Sequence, residues 1–411
     1  MKRFFSIFFI LFLFSSVFCK DLTIAEYIDS AKDDPRLKSK KAFAASIENS
    51  GDTPWIKGLE FRSETGNFDI MEQKYALRLY FKGFGETKYS REFIKNSANL
   101  HKLEYTSARS EILFERYSAV VTYIQHKKEL KIIASMRELL YDKLAVTTKM
   151  GEITGETTEI DKMDIDDKIT ETEMRQIELE STVESIEALI KSELGEDKTP
   201  VFEREKIVSV DEIEKFAESL SEISGATKAE SDYQAIKAIV AQNEIALEEA
   251  KDRNWLKYIS LEYDTDDRND RPSRGFAIGF AISIPGFKNN QSSLVKKKLK
   301  ILEQNLDFET QNRFKETAIR TALLMLKREI RQYKMLSKRK EEGEKSNIFA
   351  KYSSIDGLNP MMVIKLKEKI LKKDLKLAEL ELKIYEKYIN LAYLLGIYED
   401  ETAANFLNGK K

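Results

Sequence analysis

Cysteine is nearly missing from this sequence, with one residue in 411, and histidine occurs only twice. One thiol cannot close an internal disulfide, and two histidines leave little for a zinc site or a histidine-based hydrolase. Net charge is almost absent as well. Lysine and arginine number 68 against 70 aspartates and glutamates, which argues against nucleic acid as a partner. The six prolines (Pro35, Pro54, Pro200, Pro272, Pro285 and Pro360) leave 55–199, 201–271, 286–359 and 361–411 uninterrupted. Proline breaks helix interiors, so these stretches can hold very long helices. Beyond the N-terminus there is no run of about 18 apolar residues, and no transmembrane helix is expected.

What is present begins with a leader. Lys2 and Arg3 precede the apolar stretch Phe4 to Phe14 and the small residues Ser15 and Ser16. That order of basic, apolar and small residues marks 1–19 as a secretory signal peptide. Val17 and Cys19 suit cleavage before Lys20. Lipidation of Cys19 is the competing reading, opposed by Phe18 where a lipobox wants a small residue.

The strongest feature is an internal duplication, with landmarks recurring about 200 residues further on. Trp55-Ile56-Lys57 returns as Trp255-Leu256-Lys257, and Leu59-Glu60-Phe61 as Leu261-Glu262-Tyr263, two residues out of phase. Leu79 to Phe84 is answered by Ile282 to Phe287, and Leu194-Gly195 by Leu395-Gly396. Each copy opens with alternating segments. Tyr75, Leu77, Leu79 and Phe81 alternate with Ala76, Arg78, Tyr80 and Lys82 in the first; Ile278, Phe280, Ile282 and Ile284 alternate with Ala277, Gly279, Ala281 and Ser283 in the second. A period of two means strands with one apolar face and one small or polar face. Each copy therefore predicts one β-hairpin, at 55–85 and 255–287.

Long helical hairpins follow, at 86–195 and 288–396. Gly151 and Gly155 interrupt the first, with its tip near 151–158; Gly357, Asn359 and Pro360 interrupt the second, with its tip near 355–361. Leu371, Leu375, Ala378, Leu382, Tyr385, Ile389 and Ala392 form a heptad seam. A second seam runs from Leu366 through Ile370, Leu377, Leu380, Ile384 and Leu391 to Leu394, beside the solvated Lys372, Lys376 and Lys383. A helix with two seams has neighbours on two sides, as in a wall of helices. The remaining stretches are a helix within 20–54, a linker or side domain at 196–231, a helix at 232–254 and a tail at 397–411.

Four strands cannot close a membrane barrel, but three chains would supply twelve. At this point the chain resembles the TolC-type outer-membrane factors. Leu22 to Ile28 and Asp34-Pro35-Arg36-Leu37 are similar to that family's first helix and its turn, Phe276 to Phe287 to its second barrel hairpin, and the two Leu-Gly pairs to the close of each repeat. The resemblance covers nearly the whole mature chain. It implies a mostly α fold with a small β part, trimerising into a 12-stranded β-barrel in the outer membrane on an α-helical periplasmic tunnel. The implied function is a passive exit duct of a tripartite efflux pump or type I secretion system. The implied partners are two further copies, outer-membrane lipid, a periplasmic adaptor (membrane fusion) protein and an inner-membrane transporter.

By position, the resemblance places a periplasmic gate at Asp161 and Asp164, with Asp166 and Asp167 beside them. Val363 and Leu366 stand where the second copy's acidic pair would be. Aspartates at a helix N-terminus are also explained by the helix dipole alone. Adaptor contacts would fall on Gly155 and Thr157 and on Gly357, Pro360 and Met361. In the barrel, Tyr75, Leu77, Leu79, Phe81, Ile278, Phe280, Ile282 and Ile284 would face lipid; Arg78, Lys82, Ala277, Gly279 and Ala281 would face the lumen. No enzyme activity, metal or cofactor is expected: Gly83 to Lys88 lacks the Gly-Lys-Ser/Thr end of a phosphate loop, and Asp264 to Asp270 lacks the ligands and turn glycine of a calcium loop. The rival reading is a secreted periplasmic coiled-coil protein with no channel, in which the apolar strand faces lie buried on a soluble core.

Overall fold

Local chemistry decides where the helices of this chain start and stop. In the computed structural model, which describes residues 21–49, 54–65, 73–154, 159–195, 198–202, 207–220, 228–264, 275–283, 291–345, 360–399 and 407, the elements are mostly helical. In chain order they are β1 (Asp21–Leu22), α1 (Ile24–Asp29), α2 (Pro35–Glu48), β2 (Ile56–Thr65), β3 (Gln73–Phe81), α3 (Glu86–Thr154), α4 (Glu159–Leu194), β4 (Thr199–Pro200), α5 (Val210–Ser219), α6 (Lys228–Asp252), β5 (Leu256–Asp264), β6 (Gly275–Ile282), α7 (Gln291–Lys345) and α8 (Pro360–Leu394). Thr23 caps α1 and Ser209 caps α5, each in a reciprocal box with the glutamate three residues on. The duplicated Leu-Gly pairs end α4 and α8 because Gly195 and Gly396 adopt φ of 63° and 69°, the left-handed cap that a side chain disfavours. Gly151 does not break α3, which runs through it to Thr154.

The chain divides into two units. The first comprises the residues up to Asp34, Arg109–Ser224 and those from Glu316 on. Its long helices form a layer in the order α4, α3, α8, α7. Tyr141 donates to Glu173 (2.8 Å) and Arg137 to Gln176 (2.9 Å) between α3 and α4. Lys143 meets Glu368 at 2.6 Å between α3 and α8, and Lys340 meets Asp374 at 2.8 Å between α7 and α8. Glu381 accepts from Tyr333 of α7 and also from Lys128 of α3. Both seams of α8 are buried, through Ala378, Tyr385, Ile389 and Ala392 on one and Leu377, Leu380, Ile384 and Leu391 on the other. Lys372, Lys376 and Lys383 are exposed. Arg116, almost wholly buried, ties α1 to α3 by donating to the Tyr27 carbonyl at 2.5 Å, while the Tyr27 hydroxyl donates to Glu193 of α4 at 2.6 Å.

The second unit comprises Pro35–Ala108 and Gly225–Lys315. Its centre is one antiparallel sheet in the order β2-β3-β5-β6, so the two expected hairpins join along β3 and β5. The pairings show which residues of the two copies correspond. Bulges sit between Ile56 and Gly58 and between Leu256 and Tyr258, and Leu59 pairs with Leu79 as Ile259 pairs with Phe280. The counterparts of Phe61 and Leu79 are therefore Leu261 and Phe280; matching them to Tyr263 and Ile282 on residue similarity placed both strands of the second hairpin two residues out of phase. Trp55 and Trp255 each close a hairpin mouth, their carbonyls accepting from the Lys82 and Ser283 amides (3.1 and 2.6 Å).

The turn after β3 lies against the end of α6. A Cβ on Gly83 would stand 2.6 Å from the Ala250 carbonyl oxygen and 3.0 Å from the Asn254 Cβ. The Gly83 amide donates to Glu86 at 2.7 Å, which holds the turn in place. Because the clash is with backbone, Gly83→Ala should destabilise this unit by about 1–3 kcal/mol. Amide exchange along β3 and α6 would rise in that variant, and unchanged exchange would refute the packing argument.

Candidate functional site

The sheet sorts its side chains into two faces. On one lie Leu59 and Phe61 of β2, Tyr75, Leu77 and Leu79 of β3, Ile259, Leu261 and Tyr263 of β5, and Phe276, Ile278 and Phe280 of β6, in register across the four strands. These are large apolar groups left open to the surroundings: Phe276 is 75 % exposed and Ile278 76 %. The face is aromatic at both ends. Tyr263 packs on Phe276 (centroids 5.0 Å) toward the hairpin tips, and Trp55 packs on Phe81 (4.9 Å) at the base where the strands lead into helices. Ile282, which follows Phe280 on this face, is exposed as well.

The opposite face is polar or small. Glu60 pairs with Arg78, Arg78 with Ser260, and Ser260 with Gly279 across the four strands; Glu262 stands opposite Ala277, and Tyr258 opposite Ala281. Arg78 stacks over Tyr258 at 4.9 Å, and Tyr80 donates to Glu60. Arg62 lies 3.1 Å from Glu60. Lys82 follows β3 at the base. The strands β2 and β6 are the two edges of this sheet.

The other candidate residues belong to the helix ends. Asp161, Asp164, Asp166 and Asp167 are exposed on the first turns of α4, while Ile165 and Ile169 turn inward onto Met136 and Leu140 of α3. Val363 and Leu366 are half-buried in the first turns of α8. Pro360 opens α8, where its missing N–H is no loss; Met361 is half-buried and Met362 exposed. Gly155, Thr157, Gly357 and Ile284 lie outside the described residues.

Two charged features escaped the sequence reading. Glu368 is 10 % exposed between Lys143 (2.6 Å) and Lys372 (2.7 Å). Burial alone would raise its carboxyl, but the two lysines overcome that and hold it at about 2. Its position was legible: the first α8 seam, extended three residues back from Leu371, lands on Glu368. The second feature is Lys57 and Lys257, which the duplicated bulges bring to one cleft at the base of the sheet. Among the described residues, no group of three or more histidine, cysteine, aspartate or glutamate side chains is placed to hold a metal ion. No helix among them is long and apolar enough to cross a membrane.

No family model and no curated protein matches the sequence. Solved structures do. The outer membrane protein VceC of Vibrio cholerae matches with a TM-score of 0.66 at 13% identity, covering 91% of this chain and 96% of that one. The outer-membrane channel OprN matches at 0.63 and 13% identity over 92% and 91% of the two chains. The Campylobacter jejuni CmeC outer membrane channel matches at 0.65 and 12% identity over 94% and 87%. With end-to-end coverage on both sides, the chain has the fold of these outer-membrane channels, the fold that its resemblance to the TolC-type outer-membrane factors implied.

Proposed function

We propose that this protein is the trimeric outer-membrane exit duct of a tripartite efflux pump or type I secretion system. The observation that carries the reading is the four-stranded sheet with one apolar face, aromatic at both ends, and two open edges. In lipid every backbone group must be paired, so an open sheet has to be closed, and three copies give an even twelve strands. The apolar face then meets hydrocarbon with its aromatic ends at the two interfaces, and Arg78, Lys82, Ala277, Gly279 and Ala281 line the lumen. The rival reading needs Ile278 and Phe280 buried on a soluble core; within this chain both are exposed.

In the same reading the helices of three chains form the periplasmic tunnel. Its gate lies at the first turns of α4 and α8, with Asp161 and Asp164 in one repeat and Val363 and Leu366 in the other. A periplasmic adaptor protein and an inner-membrane transporter engage the tips at Gly155, Thr157, Gly357, Pro360 and Met361. Residues 1–19 direct export and are removed. The chain supplies the passage, and the transporter supplies the energy. Electron microscopy of the protein extracted from outer membranes tests this. Three-fold particles with a barrel and a helical tube are expected; soluble monomers without a barrel would overturn the reading in favour of the coiled-coil protein.

A further inference from the structure

The polar face of the sheet carries its charge unevenly. Toward the tips opposite charges stand side by side: Glu64 and Asp264 both pair across strands with Lys74, and Glu60 pairs with Arg78, while Glu262 accepts from the Ser260 hydroxyl. At the base this balance ends. There the two bulges place Lys57 and Lys257 at the rim of a cleft of about 640 Å³, whose wall includes Gly58 and Tyr80 of the sheet and the last turn of α6. Lys251, on that last turn, is 3.1 Å from Glu248 and already neutralised; Asp252 also has a partner. Lys57 and Lys257 make no ion pair among the described residues. The Tyr80 ring, 5.4 Å from that of Tyr258, gives the cleft an aromatic wall.

We propose that this cleft binds organic anions bearing an aromatic group, with Lys57 and Lys257 on the anionic head and Tyr80 against the ring. Its volume is that of a small-molecule site. Two flexible ammonium groups act on a carboxylate, sulfonate or phosphate as point charges without demanding one geometry, and a tyrosine face adds a contact for a flat ring. The duplication explains why there are two lysines: each copy repeats the Trp-x-Lys segment and its bulge, and pairing β3 with β5 brings the two repeats together. The physiological meaning rests on the channel reading, in which this face is the lumen and such anions are cargo at the mouth of the barrel.

Trp55 and Trp255 are the only tryptophans in the chain and flank the cleft through Lys57, Phe81 and Asn254, so they report on it. The full-length mature protein in detergent micelles is titrated with 4-nitrobenzoate, a quenching aryl anion, and with uncharged 4-nitrobenzyl alcohol, following tryptophan lifetime. Saturable quenching by the anion is expected. Lys57→Glu with Lys257→Glu should raise the half-saturating concentration at least tenfold, and the paired glutamine variant should raise it several-fold; the alcohol should respond equally to all three proteins. Quenching by the anion that does not saturate, or saturates identically in all three, would overturn the inference. Conductance of the same preparations in planar bilayers separates this from the channel reading. A protein that conducts without the binding signal loses only the anion site, and one that binds without conducting loses the channel.

Discussion

Replacing Leu324 with glutamate should turn the proposed trimer into monomers that keep their helix content. Leu324 is 64 % exposed in the single chain, and on α7 it lies with the exposed Met335 on the outer side of the first unit's layer. In the second unit the same helix carries a stripe of its own, Val295, Leu299, Leu302 and Leu306, exposed and recurring at heptad spacing. In the first unit α7 turns Ala322, Leu326, Ile330 and Tyr333 toward the layer, about half a turn away from Leu324 and Met335. The other edge of the layer repeats the arrangement. On α4, Ile165, Ile169, Leu179, Val183 and Ile190 are buried, and Ile160, Met163, Met174, Ile177 and Leu189 are exposed on the opposite side. A layer with an apolar seam on the outer side of each edge helix is an interrupted wall, and in the proposed trimer α4 of one copy against α7 of the next would close it as a ring.

The size of the effect follows from that geometry. Burying a leucine is worth about 2 kcal/mol, and a three-fold ring buries each position three times, roughly 6 kcal/mol in all. That is about four orders of magnitude in the assembly constant before the desolvation of three carboxylates is counted. Ile177→Glu, on the other edge, should have the same consequence. Lys300→Glu, exposed on α7 about a third of a turn off the stripe, should leave assembly intact. Light scattering behind size exclusion, with circular dichroism to confirm folding, reads all three. If Leu324→Glu and Ile177→Glu remain oligomeric, the two stripes do not meet.

Much of this architecture is legible in the sequence. Period-two alternation exposed the strands because a pleated sheet with unlike faces cannot hide its pattern. The two Leu-Gly pairs marked helix ends because a left-handed cap selects glycine. The phase of the second repeat was not legible: the true counterpart, Ile259-Ser260-Leu261, has a serine where the first copy has Glu60, so matching Leu-Glu-Phe to Leu-Glu-Tyr by similarity slipped by two. The pairing of β3 with β5 was also hidden, since alternation says which face a residue takes and not which strand lies beside it. Lys57 and Lys257 stood out only as landmarks of the repeat for the same reason. Their meaning comes from two segments about 200 residues apart meeting at one place.

Glu368 shows what a charge in an apolar seam demands, and removing it should loosen the junction of α3 and α8 more than any other single polar change in that layer. Glu368→Ala leaves the Lys143 ammonium, 11 % exposed, with no counter-charge; Lys372, 58 % exposed, can turn to water. Stranding one partner of a buried pair costs about 3–5 kcal/mol, so amide protection in the adjoining turns should fall by about two to four orders of magnitude. Lys143→Met with Glu368→Leu removes both charges and should restore most of that protection, because a well-packed apolar pair can replace a buried ion pair. The pH dependence has a definite sign. The folded-state value of about 2 lies below the ordinary 4.5, so the stabilisation from Glu368 is fully present above about 4.5 and is lost as the pH falls toward 2. The difference in protection between the wild-type protein and Glu368→Ala should therefore be constant from neutral pH to about 5 and shrink below it. A difference that instead shrinks between pH 8 and 6 would assign the stabilisation to another group.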